Sequence, residues 1–225
     1  MKGKFIVIEG TDGSGKGTQV KLLIDHLKKK KKKVFLADFP RYETFFGKMV
    51  GRYLNGEFGD VKQASPYLVS LTYAMDRAGA KNDIEKHLKM GHHVIANRYT
   101  FSNMAHQSAN LPPKERKKYI KWNEELEYVA NGIPKEDLIV FLHVPTKFTQ
   151  DLVDKKEKRN YTSKKRDIHE ANKDHLFEAE KQYLWLSKHY SHVRRLNCIN
   201  KKGELRTIED IHQEIIALLQ NEKLI

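Results

Sequence analysis

Residues 5–19 read FIVIEGTDGSGKGTQ and combine a strand, a glycine-rich loop and the start of a helix. Phe5 to Ile8 are apolar and largely β-branched, which is typical of a buried parallel strand. Thr18 to Leu27 form a helical pattern directly after the loop. This order predicts the first strand–loop–helix unit of an α/β fold.

The loop has the composition of a phosphate-binding site. Its glycines let successive backbone N–H groups point at an anion, and Lys16 and the positive helix end add charge. The pattern is a Walker A loop, except that Gly17 occupies the usual hydroxyl position and Thr18 follows one residue later. The alternative is a βα turn that binds nothing. We predict that the ATP phosphates are bound by Gly10, Thr11, Asp12, Gly13, Ser14, Gly15, Lys16, Gly17 and Thr18.

Length and cysteine content restrict the class of protein. The 225 residues suffice for one well-cored domain, and Cys198 is the only cysteine, which excludes an internal disulfide framework. No apolar stretch approaches the roughly 20 residues of a membrane span, and the chain enters its first strand without a signal peptide. We therefore expect a cytoplasmic protein that does not cross a membrane.

The chain is strongly basic, with 42 Lys and Arg against 29 Asp and Glu and a net charge of +13. Such a field concentrates anions near the protein. The densest block, Lys28 to Lys33, is typical of the solvated C-terminal end of the first helix. A nucleic-acid surface is the alternative, but no aromatic residue interleaves these lysines as single-strand binding requires. Nucleic acid is not expected as a partner.

Strand and helix patterns alternate along the rest of the chain. A helix is expected to begin at Ser65-Pro66, and its residues Leu68, Leu71, Met75 and Ala78 share one apolar face. The alternation predicts a three-layer α/β sandwich with a parallel five-stranded sheet, in a single domain over residues 1–225. The further strands are expected at Val34–Ala37, Val94–Ala96, Leu138–Leu142 and His192–Asn197.

Cationic residues follow several of these strands, where ligands of parallel α/β sheets bind. Arg41, Arg77 and Arg98 are separate in sequence but are expected near the same sheet edge. Their convergence near the phosphate loop indicates a second anionic substrate. A charged segment at about 155–172 is expected to be a helical lid that supplies charge around a transferred phosphoryl group through Arg159, Lys164, Lys165 and Arg166. The alternative is a solvated, charged pair of helices.

Motifs over nearly the whole chain resemble the thymidylate kinases, a family of nucleoside monophosphate kinases. The helix that carries Tyr73 and Arg77 and the later pair Arg98-Tyr99 are more specific for this family than the phosphate loop, which many families share. In chain order the matching segments are Glu9-Gly-Thr-Asp12 through Gln19, Phe39-Pro40-Arg41, Tyr73 with Arg77, Asn97-Arg98-Tyr99 with Ser102, Ala105-His106-Gln107, Pro134 to Leu138, and Asp167 with Glu170.

The resemblance implies a P-loop nucleoside monophosphate kinase fold with a small helical lid. It also implies Mg²⁺-dependent transfer of the γ-phosphate of ATP to dTMP, giving dTDP and ADP, by a homodimer. Lys16 would hold the ATP phosphates, and Asp12 would organise Mg²⁺ indirectly. Because the loop carries Gly13 where some members have arginine, Arg159 or Arg166 of the lid would supply that charge.

The acceptor roles also come from the resemblance. Tyr73 would stack on thymine, Arg77 would read its carbonyl edge, and Arg98 would bind the acceptor phosphate. The remaining predicted substrate contacts are Phe39, Arg41, Ser102 and Gln107.

Departures from the family pattern keep other functions open. Asn97 replaces an aspartate near the metal and sugar, so a different base preference is an alternative. A deoxynucleoside kinase would need a carboxylate base after the second strand, for which Asp38 and Glu43 are poorly placed. A GTPase is disfavoured because its Asp76-x-x-Gly79 match lies within a helical pattern. A basic nucleic-acid-binding ATPase is the alternative of another class.

Overall fold

Five parallel strands form the centre of the fold, in a computed structural model that describes residues 3–148 and 167–225. They are arranged in the order β2-β3-β1-β4-β5. The predicted fold class, a parallel five-stranded α/β sandwich, is therefore confirmed. The strands are β1 Phe5–Gly10, β2 Val34–Asp38, β3 His93–Asn97, β4 Leu138–His143 and β5 Val193–Asn197.

The register brings the carboxyl ends of the strands together. Asn97 at the end of β3 pairs with Ile8 on one side and with Asp38 on the other. Gly10 pairs with Leu142 of β4. Consequently the phosphate loop after β1 and the segments after β2 and β3 leave the sheet at one edge, where α/β folds bind ligands.

Helices cover both faces of the sheet, and the two helices predicted at Thr18–Leu27 and from Ser65-Pro66 begin within two residues of those positions. The sixth helix continues as a π-helical turn over Glu125–Ala130. The helices are α1 Lys16–Lys29, α2 Phe45–Leu54, α3 Pro66–Ala78, α4 Lys81–Lys89, α5 Thr100–Ser108, α6 Pro113–Glu124, α7 Ile168–Ala171, α8 Lys173–His189 and α9 Ile208–Asn221.

Alternating strand residues supply two separate hydrophobic layers. Phe5 and Val7 of β1 point into a cluster that includes residues of α4, α5, α6 and α8. Ile6 and Ile8 point the other way, into a cluster with α1 and α9. Because the period of a strand is two, this central strand is buried on both faces, as its continuous apolar run predicts.

The apolar face of α3 is turned outward. Leu68, Leu71 and Met75 are 66%, 38% and 37% exposed. The opposite side of the helix is buried and carries the charged residues Asp76 and Arg77. Hydropathy alone would place these charges in solvent, but each has a charged partner from another segment: Arg41 for Asp76 and Glu127 for Arg77.

The segment preceding α8 begins with a capped turn. Asp167 and Glu170 form a reciprocal capping box around α7, which accounts structurally for their spacing. The predicted lid arginines Arg159 and Arg166, and most of the lid segment, lie outside the described residues. No helix within the described ranges is long and apolar enough to cross a membrane.

Candidate active site

The phosphate loop has the backbone conformation that its glycines predict. Gly13 and Gly15 have φ values of 82° and 81°, in the left-handed region that favours glycine. α1 begins at Lys16 with no side chain of the described residues capping it, so its first N–H groups face the loop. The Nζ atom of Lys16 donates to the carbonyl of Thr11 at 2.8 Å, which bends the lysine back over the loop.

Gly10 is required for a steric reason. A Cβ atom there would lie 2.6 Å from both the Leu142 carbonyl oxygen and the Ser14 Oγ, and φ is 153°. Both neighbours belong to the packed base of the loop, since Ser14 is buried and Leu142 lies in β4. The close approach of the loop to β4 therefore depends on glycine at this position.

An open cavity of about 920 Å³ lies beside the loop. Six of the nine predicted ATP-binding residues line this cavity. The other three, Gly10, Thr11 and Ser14, do not line it and form the base of the loop. Its lining residues are Asp12, Gly13, Gly15, Lys16, Gly17, Thr18, Asn97 and Arg98.

A second pocket of about 490 Å³ lies on the other side of Arg98. Four of the predicted substrate residues line it, together with several that the sequence did not indicate. Its lining residues are Asp12, Pro40, Tyr42, Leu54, Tyr73, Arg98, Ser102, Asn103, His106, Gln107, Asp167 and His169.

The ion pair of Asp12 and Arg98 is common to both pockets. The Arg98 Nη2 lies 2.5 Å from Asp12 Oδ1, and its Nη1 donates to the Gly10 carbonyl and to Ser102 Oγ. Burial alone would lower the pKa of Arg98. The negative charge of Asp12, together with smaller effects of Tyr183 and Glu9, outweighs burial, so the net shift of the pKa is upward. Arg98 is consequently a permanent cation between the two pockets.

Glu9 positions this arginine, and its role was not recognised from the sequence. The Glu9 carboxylate is fully buried and accepts hydrogen bonds from the backbone N–H groups of Tyr99 and Ser102 and from Ser102 Oγ. These contacts hold the turn in which Arg98 has a φ of 64°, an uncommon value for arginine. The available signal was a glutamate at the end of an otherwise apolar strand.

Two residues that line the second pocket have a buried amide oxygen without a hydrogen-bond partner among the described residues. These atoms are Asn103 Oδ1 and Gln107 Oε1. A buried acceptor without a partner costs on the order of 1–3 kcal/mol, so such atoms are expected to meet a ligand or water. Tyr73 lies in the same pocket, and burial raises the pKa of its hydroxyl well above its usual range, which keeps the ring neutral.

Three predicted substrate residues are not brought to this pocket. Arg77 is buried, and its guanidinium is paired with Glu127 of the π-helical turn. The Arg41 guanidinium is paired with Asp76 of α3. Phe39 is buried and packs 5.8 Å from Tyr99, centroid to centroid. Each is engaged by a segment distant in sequence, and the roles of these three residues as substrate contacts stay predictions.

Oxygen donors at the strand ends fit a hard divalent cation. Asp38 ends β2, and Asn97 Nδ2 donates to its Oδ1 at 2.9 Å, while Asn97 Oδ1 has no partner among the described residues. Desolvation by the surrounding protein raises the pKa of Asp38, although part of its surface is exposed, against the opposing effects of Asn97, Arg98 and Lys16. Carboxylate and amide oxygens beside a phosphate site are the protein ligands that Mg²⁺ accepts.

Comparisons with known proteins identify the family. The family model described as thymidylate kinase matches residues 8–215. A probable thymidylate kinase of Thermococcus onnurineus is 33% identical over 98% of each chain, and the thymidylate kinase of Plasmodium falciparum is 32% identical over 96% of this chain and 89% of its own.

A solved structure has the same fold. The thymidylate kinase of Candida albicans, described as having broad substrate specificity, superimposes with a TM-score of 0.77 at 22% identity, covering 99% of this chain and 93% of that one. With the family match over most of the chain and the full-length relatives, the conclusion is plain: the chain belongs to the thymidylate kinase family.

Proposed function

We propose that this chain transfers the γ-phosphate of ATP to dTMP, giving dTDP and ADP. Family membership supports the reaction. The observation that carries the assignment of sites is the meeting of two pockets at Asp12 and Arg98, one beside the phosphate loop and one beside Tyr73. ATP would occupy the first pocket and dTMP the second, so that donor and acceptor phosphates meet at Arg98.

The chemistry needs charge and positioning rather than a nucleophilic side chain. The phosphate of a monophosphate acceptor is already anionic near neutral pH. Lys16 and the loop N–H groups would neutralise the donor phosphates, and Arg98 would hold the acceptor phosphate in line. The Asp12 carboxylate keeps the Arg98 guanidinium directed at this junction before substrate arrives.

Mg²⁺ would be held mainly by the ATP phosphates and by Asp38, Asn97 and, through water, Asp12. When bound, it would neutralise charge on the donor phosphates. This donor set departs from the sequence expectation, which named Asp12 alone.

Recognition of thymine would come from Tyr73 and the two amide oxygens that have no partner among the described residues. The Tyr73 ring offers a stacking face, and Asn103 Oδ1 offers an acceptor for the N3–H of thymine. Cytosine carries an acceptor at that position, so the same oxygen would disfavour it. Gln107 Oε1 would accept from a further donor of the nucleotide.

Two family features complete the proposal. Arg159 or Arg166 would close over the transferred phosphoryl group, as the basic composition of segment 155–172 favours. The chain would act as a homodimer, for which the outward apolar face of α3, formed by Leu68, Leu71 and Met75, is the candidate surface. Leu71→Glu with Met75→Glu is then expected to give monomers by sedimentation velocity at micromolar concentration, where the unsubstituted chain is expected to sediment as a dimer.

A coupled assay of ADP release tests the reaction directly. Purified protein is supplied with ATP, Mg²⁺ and one acceptor at a time from dTMP, dUMP, dCMP, AMP and thymidine. We expect the highest kcat/KM with dTMP. Turnover restricted to AMP would reject the base assignment, and turnover restricted to thymidine would indicate a nucleoside kinase instead.

A further inference from the structure

Three histidines meet in the interior beside the acceptor pocket. His106 lies on α5, His169 on α7 and His175 on α8, and they are 6%, 5% and 4% exposed. One ring nitrogen of each lies within 4.8 Å of a ring nitrogen of the other two. Neither the phosphate loop nor the base contacts proposed above use these side chains as a group.

The spacing is close to that of a metal-bound pair. The Nδ1 atom of His106 lies 3.3 Å from the Nε2 atom of His175. Two imidazole nitrogens on a tetrahedral zinc ion, each about 2.0–2.1 Å from the metal, are about 3.3–3.4 Å apart. One ring nitrogen of His169 lies within 4.8 Å of both partners, and its ring stacks on that of His106 with 5.3 Å between centroids and 14° between planes.

Neighbouring polar groups orient two of the rings as in a metal site. His175 Nδ1 lies 2.8 Å from Asn110 Oδ1, and in the tautomer whose Nδ1–H donates this hydrogen bond the Nε2 lone pair faces the cluster. His169 Nε2 lies 3.0 Å from the Tyr53 hydroxyl. His106 Nε2, the ring nitrogen that does not face His175, is buried without a partner among the described residues.

Neutral imidazole is the form of histidine that binds metals. Burial lowers the pKa of all three, that of His169 to about 4. Of the charges that face the cluster, Arg98 opposes a further cation and Asp12 favours one. The Asp12 carboxylate therefore partly offsets the positive charge of the arginine.

We propose that His106, His169 and His175 bind one divalent transition-metal ion of the zinc class. Imidazole ligands select Zn²⁺ and similar ions over Mg²⁺, so this site is distinct from the nucleotide-bound magnesium. The ion ties α7 and α8, which follow the lid segment, to α5. Because His106 and His169 also line the acceptor pocket, the ion fixes one wall of that pocket.

Metal binding to the tag-free, EDTA-treated full chain tests this proposal without using activity. Titration calorimetry with Zn²⁺, checked by elemental analysis, is expected to give one ion per chain, with no competition from millimolar Mg²⁺. Zn²⁺ a hundredfold above its Kd is expected to raise Tm by roughly 5–10 °C. The His175→Gln variant is expected to lose at least about a hundredfold in affinity, and Asn110→Ala about 10–100-fold.

A second histidine pair supplies the matched control. His87 Nδ1 lies 2.8 Å from His92 Nδ1 outside the cluster, so His87→Gln is expected to leave Zn²⁺ binding unchanged. Co²⁺ added to the unsubstituted protein is expected to give the visible absorption of a tetrahedral site, which keeps the test valid where a histidine variant fails to fold. Absence of stoichiometric Zn²⁺ binding, a spectrum of hydrated Co²⁺ only, or equal affinity in folded His175→Gln would overturn the proposal.

Discussion

The phosphate loop and the acceptor pocket lie on opposite sides of Arg98 and are built in different ways. The loop is a single run of residues whose geometry comes from the backbone, with glycines at positive φ and a helix that begins at Lys16. The acceptor pocket is assembled from side chains of α2, α3, α5, the segment after β2 and the turn at Asp167.

This difference indicates how each half tolerates change. A backbone-built site binds any triphosphate and is lost when its conformation or its one lysine is lost. A site built from side chains can change its preference one residue at a time, because each contact comes from a separate element. The substitutions below test this contrast, in order of decreasing expected effect on catalysis.

Removal of the Lys16 ammonium is expected to have the largest effect. Lys16→Met keeps the aliphatic stem but removes the charge that would neutralise the donor phosphates. We expect kcat to fall about 10²–10³-fold, the typical loss for one stabilising donor. Lys21→Met, at an exposed position of the same helix, is the control and is expected to behave as the unsubstituted enzyme in the ADP-release assay. Wild-type turnover by Lys16→Met would refute the donor assignment.

Arg98→Lys separates charge from geometry at the junction of the two pockets. Lysine keeps the positive charge but loses the planar fork that contacts Asp12, Gly10 and Ser102. We expect kcat/KM for dTMP to fall roughly 10²-fold while the KM for ATP changes little.

The matched control for Arg98 is Arg52→Lys, because Arg52 also pairs with a carboxylate, Glu57, but on the exposed surface. Initial-rate kinetics with each substrate varied in turn provide the measurement. An equal increase in the KM for ATP and the KM for dTMP would show that Arg98 does not act on the acceptor in particular.

The contrast also explains how much the sequence could reveal. The loop and the central strand were predictable because their determinants are contiguous: Phe5 to Lys16 contain the strand, the glycines and the lysine. The parallel sheet and the common sheet edge followed from the alternation of elements, whereas the order of the strands is known only from the structure. For this half of the site, local pattern and tertiary structure coincide.

The acceptor half depended on pairings that no local pattern contains. Arg77 and Glu127 are 50 residues apart, and their ion pair buries a helix face that hydropathy assigns to solvent. Glu9 lies in the recognised loop motif, but its partners at Tyr99 and Ser102 appear only when β1 and β3 are adjacent. Asn103 was missed because an asparagine within a helix gives no signal until its unpartnered oxygen is seen in a pocket.

Asn103→Ala tests whether the acceptor pocket reads the base. Loss of one hydrogen bond is expected to raise the KM for dTMP about tenfold, which corresponds to about 1.4 kcal/mol, and to narrow the preference for dTMP over dCMP. Asn123→Ala is the matched control, since Asn123 is also buried with an unpartnered amide but does not line the pocket. Unchanged discrimination in Asn103→Ala would remove Asn103 from base recognition.

Arg77 gives the smallest expected effect on catalysis and the largest on stability. Arg77→Met leaves the buried carboxylate of Glu127 without its partner, at a cost of about 3–5 kcal/mol in the free energy of unfolding. Arg77→Met combined with Glu127→Leu removes both charges and is expected to recover most of that loss in urea denaturation. Because Arg77 does not line the pocket, the KM for dTMP in the double variant is expected to stay within about threefold of the unsubstituted value. Such a change is smaller than the one expected from the loss of a hydrogen bond to the substrate. A larger increase in that stable double variant would instead assign Arg77 to thymine recognition, and the acceptor pocket would then extend to the π-helical turn.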